Sequence, residues 1–393
     1  MVLSSLSRDN KLIFWSLALW GVGEGLWWYL LSVYIESLGA NSVQIGFVLS
    51  VAMILMTALF IPSGWITDRL SRRLIMITGW FMGLIAILVV AMAHSWQQAI
   101  PGLLLYNLSA FNMPAINSYI TAEVKSGDDM RRVFTTTFSG FTLGMMFSPA
   151  LGGWLADMWG LRNLFFMAAV FYAMSTALIL LIREQPIHRA SFSSAQSPLG
   201  YNRSFIYLCL VLFVAHLVGH LGIPLAPNFL RDIRQLNMGA IGTLGSINSL
   251  GSFLLIVLLG RWPRSRTGGL LLAEATVAAY SVIMLTASAF PWLGLALFLR
   301  GGLGALRQLG AARLGELMPA ASMGLGFGIF QTAVNLAFTI SPYVAGWLYA
   351  FDPRYPFVAS VVLTLPTMIV TMAAGRQAQA AEAPVARART ASD

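Results

Sequence analysis

Long apolar stretches separated by short polar gaps occupy most of the chain. A helix that crosses the hydrocarbon core of a bilayer needs about 20 predominantly apolar residues. Twelve stretches approach or exceed this length, at residues 12–36, 43–66, 74–93, 99–124, 133–156, 163–182, 205–230, 241–259, 268–289, 292–318, 323–350 and 356–374. The pattern therefore predicts an all-α polytopic membrane protein with twelve transmembrane helices.

Two polar segments divide the chain. Residues 184–203 are polar and Ser-rich, which is typical of a linker, and they separate an N-terminal six-helix bundle (1–183) from a C-terminal one (204–375). Residues 376–393 are Ala-rich with scattered charges and no apolar period, so we expect a disordered tail there.

The two halves share an internal repeat. The sequence Ser148-Pro149-Ala-Leu-Gly-Gly-Trp-Leu in the fifth span returns 193 residues later as Ser341-Pro342-Tyr-Val-Ala-Gly-Trp-Leu in the eleventh. Nearer the N-terminus, Gly23-Glu24 aligns with Gly219-His220 at an offset of 196. Parallel repeats of this kind are related by an axis along the membrane normal. They predict two bundles that rock around a site at their interface.

Charged residues are scarce and unevenly placed. The chain is 58% hydrophobic and 10% charged, with a net charge of +9. Eighteen of the 24 lysines and arginines lie on the side that carries both termini, and four on the other. The positive-inside rule predicts cytoplasmic termini in a cell inner membrane, so the charge indicates topology and no nucleic-acid binding. The single cysteine excludes an intramolecular disulfide and a Cys-rich metal site.

The loop after the second span reads Gly64-Trp-Ile-Thr-Asp68-Arg69-Leu-Ser-Arg72-Arg73. It resembles the loop motif of the major facilitator superfamily, with serine and isoleucine replacing the second glycine and the leucine. The resemblance implies a cytoplasmic latch, in which Asp68 caps the eleventh helix and the arginines pair with carboxylates across the interface. The alternative is that the arginines only anchor the loop at the membrane surface.

The fifth span carries Gly144, Pro149, Gly152 and Gly153 at helical spacing. This pattern resembles the glycine-rich motif of antiporters in the same superfamily. Small residues allow helix backbones to approach closely, and proline permits a bend. The resemblance implies a gating role and favours export by exchange, whereas ordinary tight packing is the alternative.

Five ionisable residues lie at bilayer depth: Glu24, His216, His220, Arg300 and Arg307. Such residues are costly in a membrane and are functional hypotheses by default. The superfamily resemblance implies that spans one, four, seven and ten line a central cavity, and all five fall on these spans. The histidines are four residues apart and the arginines seven, so each pair shares a helix face.

These residues suggest more than one role. Arginine could bind a carboxylate or phosphate of a substrate, and Glu24 or a histidine could carry a coupling proton. Asn107 occupies the position of the first half that the internal repeat aligns with Arg300. Alternatively, Glu24 and an arginine form a structural ion pair, and the histidines join helices by hydrogen bonds. A metal site at the histidine pair is disfavoured, because no cysteine or carboxylate lies nearby in sequence.

Two other features have simple interpretations. The run Trp27-Trp28-Tyr29 and Tyr34 are expected to form an interfacial belt, with an aromatic cavity wall as the alternative. Glu274, in the peripheral ninth span, is expected to pair with a cytoplasmic arginine.

The leading hypothesis is a secondary active transporter that works by alternating access, with proton-coupled efflux of a small organic or amphipathic molecule. The alternatives are import of an anionic metabolite bound by Arg300 and Arg307, and a non-transporting receptor or lipid-handling protein on the same fold. No nucleotide-binding glycine loop or nucleophile signature indicates an enzyme. We expect a monomer in the lipid bilayer whose partners are the substrate and protons, with no cofactor and no metal.

Overall fold

The computed structural model describes residues 6–67, 70–124, 130–185, 203–261, 266–317 and 323–390. These ranges contain sixteen α-helices, two short 3₁₀ segments and no β-strand. The helices are α1 (Arg8–Trp27), α2 (Leu31–Ser37), α3 (Ser42–Thr67), α4 (Arg72–Met92), α5 (Trp96–Ser109), α6 (Met113–Ala122), α7 (Met130–Trp159), α8 (Leu161–Leu180), α9 (Arg203–His220), α10 (Ala226–Asp232), α11 (Met238–Gly260), α12 (Arg266–Thr286), α13 (Phe290–Arg300), α14 (Gly302–Leu317), α15 (Met323–Phe351) and α16 (Tyr355–Thr390).

In the described part of the chain these helices form twelve consecutive segments, which correspond to the twelve predicted spans. All but the last begin and end within a few residues of the prediction. Length and apolar composition qualify six of the described helical stretches to cross a membrane, four of them being α4, Trp96–Ala122, α8 and α11. The remaining two are Thr267–Thr286 and Tyr355–Gly375. The all-α transmembrane fold is confirmed.

Spans one, four, seven and ten are each built from two helices. A 3₁₀ segment at Trp28–Leu30 joins α1 to α2, and another at Ala110–Asn112 joins α5 to α6. Residues 221–225 separate α9 from α10, and α13 and α14 meet at Gly301. Both α6 and α10 begin with proline in their first turn, where its missing N–H removes no helical hydrogen bond. The interrupted spans are the four expected to line a cavity.

The described chain forms two compact units. The first comprises Met1–Phe192 together with Leu225–Ile247, so that α10 and the start of α11 pack with the helices of the first half. The second comprises Ser193–Pro224 and Asn248–Asp393. Most of the predicted linker, 186–202, lies outside the described residues.

Buried polar contacts connect the helices of the first unit. The Trp80 indole on α4 donates to Ser16 Oγ of α1 at 2.9 Å and to Ser175 Oγ of α8 at 2.8 Å. Near the start of α1, the buried Asp9 carboxylate accepts from the Tyr119 hydroxyl at 2.9 Å and the Arg183 backbone N–H at 3.1 Å. These partners offset the cost of burying polar groups away from water.

The second unit repeats the packing of the first. In the first unit α1 packs along α7, and in the second α9 packs along α15. Both α7 and α15 contain an internal proline, Pro149 and Pro342, at the positions that the sequence repeat aligns. The last helix, α16, continues to Thr390 through the segment for which disorder was predicted. Alanine, glutamine, glutamate and arginine dominate that segment, and these residues favour helix even without an apolar face.

Candidate functional site

Four of the predicted site residues lie in the last turn before a helix break. The carbonyls of Glu24 and Asn107 each accept the backbone N–H of a residue just past the helix, and so does that of His220. Arg300 is the final residue of α13. Interrupted helices at membrane depth are tolerated where they are buried in protein or line a cavity. In all four spans, one of the rare polar residues lies within one turn of the break.

Glu24 lies among aromatic side chains of the first unit. The Tyr106 hydroxyl and the Trp20 indole face its carboxyl as hydrogen-bonding groups, and Tyr172 lies close enough to interact electrostatically. Glu24 itself is only partly buried. In the described residues of the first unit it forms no ion pair. The alternative of a structural ion pair therefore has no support in this unit.

The rings around Glu24 form a connected set, called here the aromatic set: Trp20, Trp27, Tyr106 and Tyr172. Trp20 stacks on Tyr172 with ring centroids 4.0 Å apart, and Trp27 meets Tyr106 edge-on at 5.1 Å. The two tyrosine hydroxyls are 3.1 Å apart, and the Trp27 indole donates to that of Tyr172 at 3.4 Å. Trp20 is partly exposed whereas the other three are buried. Glu24 and Trp20 thus form the accessible side of this set.

The expected interfacial belt is wrong for three of its four members, because Tyr29 is buried as well as Trp27 and Tyr34. Trp27 is fully buried and Tyr34 nearly so, with its hydroxyl bonded to the Val90 carbonyl at 2.9 Å. Only Trp28 is exposed. A belt residue and an interior aromatic have the same amphipathic ring, so composition alone did not separate them.

Asn107 is buried and its side-chain amide donates to the Leu103 carbonyl one turn earlier at 3.0 Å. This bond occupies part of its hydrogen-bonding capacity and leaves the amide oxygen as an acceptor. A substrate role for Asn107 stays a prediction.

The histidines of the second unit contact α15. His216 is buried, and its Nδ1 lies 2.7 Å from the Leu212 carbonyl. His220 Nδ1 is hydrogen-bonded to Ser341 Oγ at 2.5 Å, and its ring packs against Phe338 with centroids 4.8 Å apart. His220 therefore has the hydrogen bond between helices that the sequence left as an alternative, whereas His216 bonds its own helix and reaches α15 only by packing against Phe338.

The two arginines lie near these histidines in the second unit. Arg307 Nε donates to Gln331 Oε1 at 3.3 Å and interacts electrostatically with His216. Arg300 interacts in the same way with His220. The second unit thus places each histidine within electrostatic range of one arginine, His216 of Arg307 and His220 of Arg300. An anion-binding role for them stays a prediction.

The glycines of α7 face neighbouring backbones. A Cβ on Gly144 would overlap the backbone of α1 near Ala18, and one on Gly152 would overlap that of Leu26. Gly153 faces the backbone of α11 at Met238 and Gly242. Close approach of backbones explains why small residues recur at these positions. Pro149 lies inside the same helix.

The loop motif is only partly within the described residues. Asp68 and Arg69 lie outside them, and Gly64 lies in the last turn of α3. Arg73 donates to the Leu180 carbonyl at 2.9 Å, and Arg72 to Gln185 Oε1 at 3.1 Å. Arg73 also pairs with the Glu184 carboxylate at 3.9 Å. These contacts all lie within the first unit, so pairing of the two arginines across the interface stays a prediction. They bind the end of α8 in their own unit, because that end lies directly beside the start of α4.

Sequence reasoning missed an acidic cap at the far end of α7. Asp157 accepts the backbone N–H groups of Met238 at 3.0 Å and Gly239 at 2.7 Å, at the N-terminus of α11. The partners are about 80 residues apart in sequence, so no local capping signature revealed them. Nearby, Glu36 binds Arg231 at 2.7 Å and accepts from Asn228.

Glu274 does not pair with an arginine in the described structure, contrary to expectation. It is buried, and its Oε1 accepts from the Thr371 hydroxyl at 2.6 Å. The prediction assumed that a carboxylate this close to a basic loop would reach it, but the side chain points into the second unit.

Comparison with known proteins gives a consistent result. The sequence model of the Major Facilitator Superfamily matches twice, at residues 7–207 and 208–391. The multidrug resistance protein MdtG of Klebsiella pneumoniae is 28% identical over 382 residues, covering 90% of this chain and 85% of that protein. The multi-drug resistance efflux pump PmrA of Streptococcus pneumoniae is 25% identical over 358 residues, covering 85% and 88%.

Solved structures share the fold at low identity. The nucleoside transporter NupG superposes with a TM-score of 0.75 at 15% identity, covering 94% of this chain and 98% of that one. A bacterial homologue of the human lysosomal transporter Spinster, in an inward-facing and occupied conformation, gives 0.74 at 16% identity, with coverages of 93% and 96%. At these identities the likeness concerns the fold alone.

Proposed function

Because this chain belongs to the Major Facilitator Superfamily and is a secondary transporter, we propose that it exports amphipathic organic cations in exchange for protons. The observation that carries this proposal is the carboxyl of the partly buried Glu24, which lies beside Trp20 and is backed by the rest of the aromatic set. The names of MdtG and PmrA, which describe multidrug resistance and efflux, support an organic substrate and export.

The substrate class follows from the chemistry of the aromatic set. Aromatic faces attract an organic cation by about 0.5 to 2 kcal/mol, more where water is excluded. A carboxylate in a medium of low dielectric adds a stronger and less directional attraction. Flat rings also accept apolar groups of many shapes, which suits a transporter of several amphipathic molecules.

Exchange follows because the Glu24 carboxyl can bind either a proton or a cationic substrate, but not both at once. When Glu24 is ionised it attracts a cationic substrate, and when it binds a proton that attraction is lost. Proton and substrate therefore exclude one another at Glu24, which is the thermodynamic requirement for antiport through a shared site. Among the described residues of the first unit no basic side chain competes for the carboxylate.

The contacts at Asp157 and Glu36 suit a gate. With both termini cytoplasmic, as the arginine distribution favours, these contacts lie at the outer ends of spans one, five, seven and eight. Alternating access requires contacts at one face to break as those at the other form. A helix-capping carboxylate and one partly exposed ion pair are weak enough to do so. We place the transporter in the inner membrane as a monomer.

The test is accumulation of ethidium in inside-out proteoliposomes with an acidic interior. Wild type is expected to accumulate the dye only while the pH gradient lasts, and Glu24→Gln to lose this accumulation. Glu24→Asp, which keeps the carboxyl, is the matched control and should retain part of it. Equal accumulation without a gradient, or full activity of Glu24→Gln, would contradict the proposal.

A further inference from the structure

The second unit contains a buried carboxyl with an unused oxygen. Glu274 on α12 is 3% exposed. Its Oε1 accepts from Thr371, whereas Oε2 accepts no hydrogen bond from the described residues. A bare carboxylate oxygen away from water is costly, so an embedded carboxyl of this kind is expected to have a function.

A small cavity adjoins Glu274. Four helices of the second unit line it, contributing Ala215, Val218, Gly219, Glu274, Val277, Leu303, Leu306, Thr364 and Thr367. Its free space is about that of one water molecule. Apart from Glu274, the lining side chains are apolar or carry a single hydroxyl, so the cavity has one ionisable wall.

The polar atoms that face this cavity accept hydrogen bonds. The hydroxyls of Thr364 and Thr367 donate their protons to the carbonyls of Ser360 and Leu363, each at 2.6 Å, and keep only lone pairs for an occupant. Glu274 Oε2 is an acceptor as well when ionised. An occupant must therefore donate hydrogen bonds or carry positive charge.

The basic groups on neighbouring helices are engaged elsewhere. On α9, His216 and His220 contact α15, and on α14, Arg307 binds Gln331. Arg300 on α13 interacts with His220. Glu274 has no electrostatic interaction with any of these four, and Thr371 is its polar partner in the described structure. Arg313, also on α14, is buried as well but has no electrostatic interaction with Glu274. Among the described residues, no basic side chain thus neutralises Glu274.

We propose that Glu274 and the adjoining cavity form a second proton-binding site. A water in the cavity donates one hydrogen bond to Thr364 or Thr367 and the other to Glu274 Oε2. It passes a proton to Oε2 as it takes up another proton from solvent, so the carboxylate is neutralised and the water stays intact. Hard metal cations take about six oxygen ligands, more than this cavity presents. The part that this proton plays in transport rests on the proposed proton exchange, whereas its binding does not.

The test is infrared spectroscopy of the purified full chain in lipid, between about pH 5 and pH 9, a range set by ordinary carboxyl and histidine titration. In a Glu24→Gln background, which removes the other candidate carboxyl, a protonated-carboxyl band should remain and shift when H₂O is replaced by D₂O. Glu274→Gln should remove this band. Thr371→Val should only change its frequency, because Thr371 bonds the carboxyl without carrying the proton.

Three results would overturn the proposal. A band absent across the whole pH range would mean that Glu274 stays ionised. A band that never shifts in D₂O would mean a sealed structural acid that exchanges no proton. A band that disappears on adding sodium at constant pH would mean a metal-cation site. None of these requires transport, so failure of the pH-driven ethidium assay and failure of this site are separate results.

Discussion

Removing the Asp157 carboxylate is expected to weaken the proposed outer gate by a calculable amount. The side chain caps two N–H groups at the start of α11. Loss of a helix N-cap costs about 1 kcal/mol, and loss of a negative charge at a helix N-terminus roughly 0.3 to 1 kcal/mol. The sum of about 1 to 2 kcal/mol corresponds to a roughly 5- to 30-fold shift in population away from the capped state.

Electron spin resonance distance measurements can detect this shift. Spin labels at the exposed positions 158 and 235, near the two ends of the contact, would report the separation of α7 and α11. The single native cysteine, Cys209, is first replaced by alanine. Asp157→Ala should add a population at longer distance, growing by the factor above.

Asp352 provides the matched control. Its carboxylate lies just past the end of α15 in the second half, and among the described residues it accepts from the backbone N–H of Arg354 in its own turn, at 2.8 Å. Asp352→Ala should leave the distance distribution unchanged. The reasoning fails if Asp157→Ala gives the wild-type distribution, or if the control shifts it equally.

Three further predictions concern packing and recognition. Gly152→Ala should lower the melting temperature, because its Cβ would overlap backbone of α1, whereas Gly328→Ala, whose Cβ meets nothing within 4 Å, should leave it unchanged or raise it. Trp20→Leu should weaken binding of an organic cation by roughly 2- to 30-fold, with Trp20→Phe intermediate and a neutral analogue of similar size little affected, as equilibrium dialysis would show. Ser175→Ala should destabilise the first unit by about 1 kcal/mol in reversible unfolding, and an unchanged stability would mean that Ser16, the other acceptor of the buried Trp80 indole, satisfies that indole alone.

The spans were predictable from sequence because the bilayer fixes their length and allows few polar residues. The positions at which a span is broken into two helices were harder to predict. Proline marks the starts of α6 and α10, but the 3₁₀ segment at Trp28–Leu30 contains neither proline nor glycine. Its position depends on how Trp27 and Tyr29 are buried, which is a property of the packed bundle.

The same limit applies to the polar residues. Helix spacing correctly paired His216 with His220, since both lie on one helix. It could not reveal that Tyr106 and Tyr172 meet beside Glu24, or that Asp157 caps α11, because these partners come together only through tertiary packing. For Glu274 the error was of the opposite kind. Its position near a basic loop suggested an arginine partner, but its carboxylate accepts a hydrogen bond from Thr371 instead.

The most direct test of exchange at Glu24 is proton movement driven by substrate. Proteoliposomes that contain a trapped pH-sensitive dye are loaded with an organic cation and diluted into cation-free buffer without an initial pH gradient. Outward cation flow through the wild type should acidify the interior, and Glu24→Gln should abolish this acidification. Cation efflux through the wild type with no change of internal pH would contradict proton exchange.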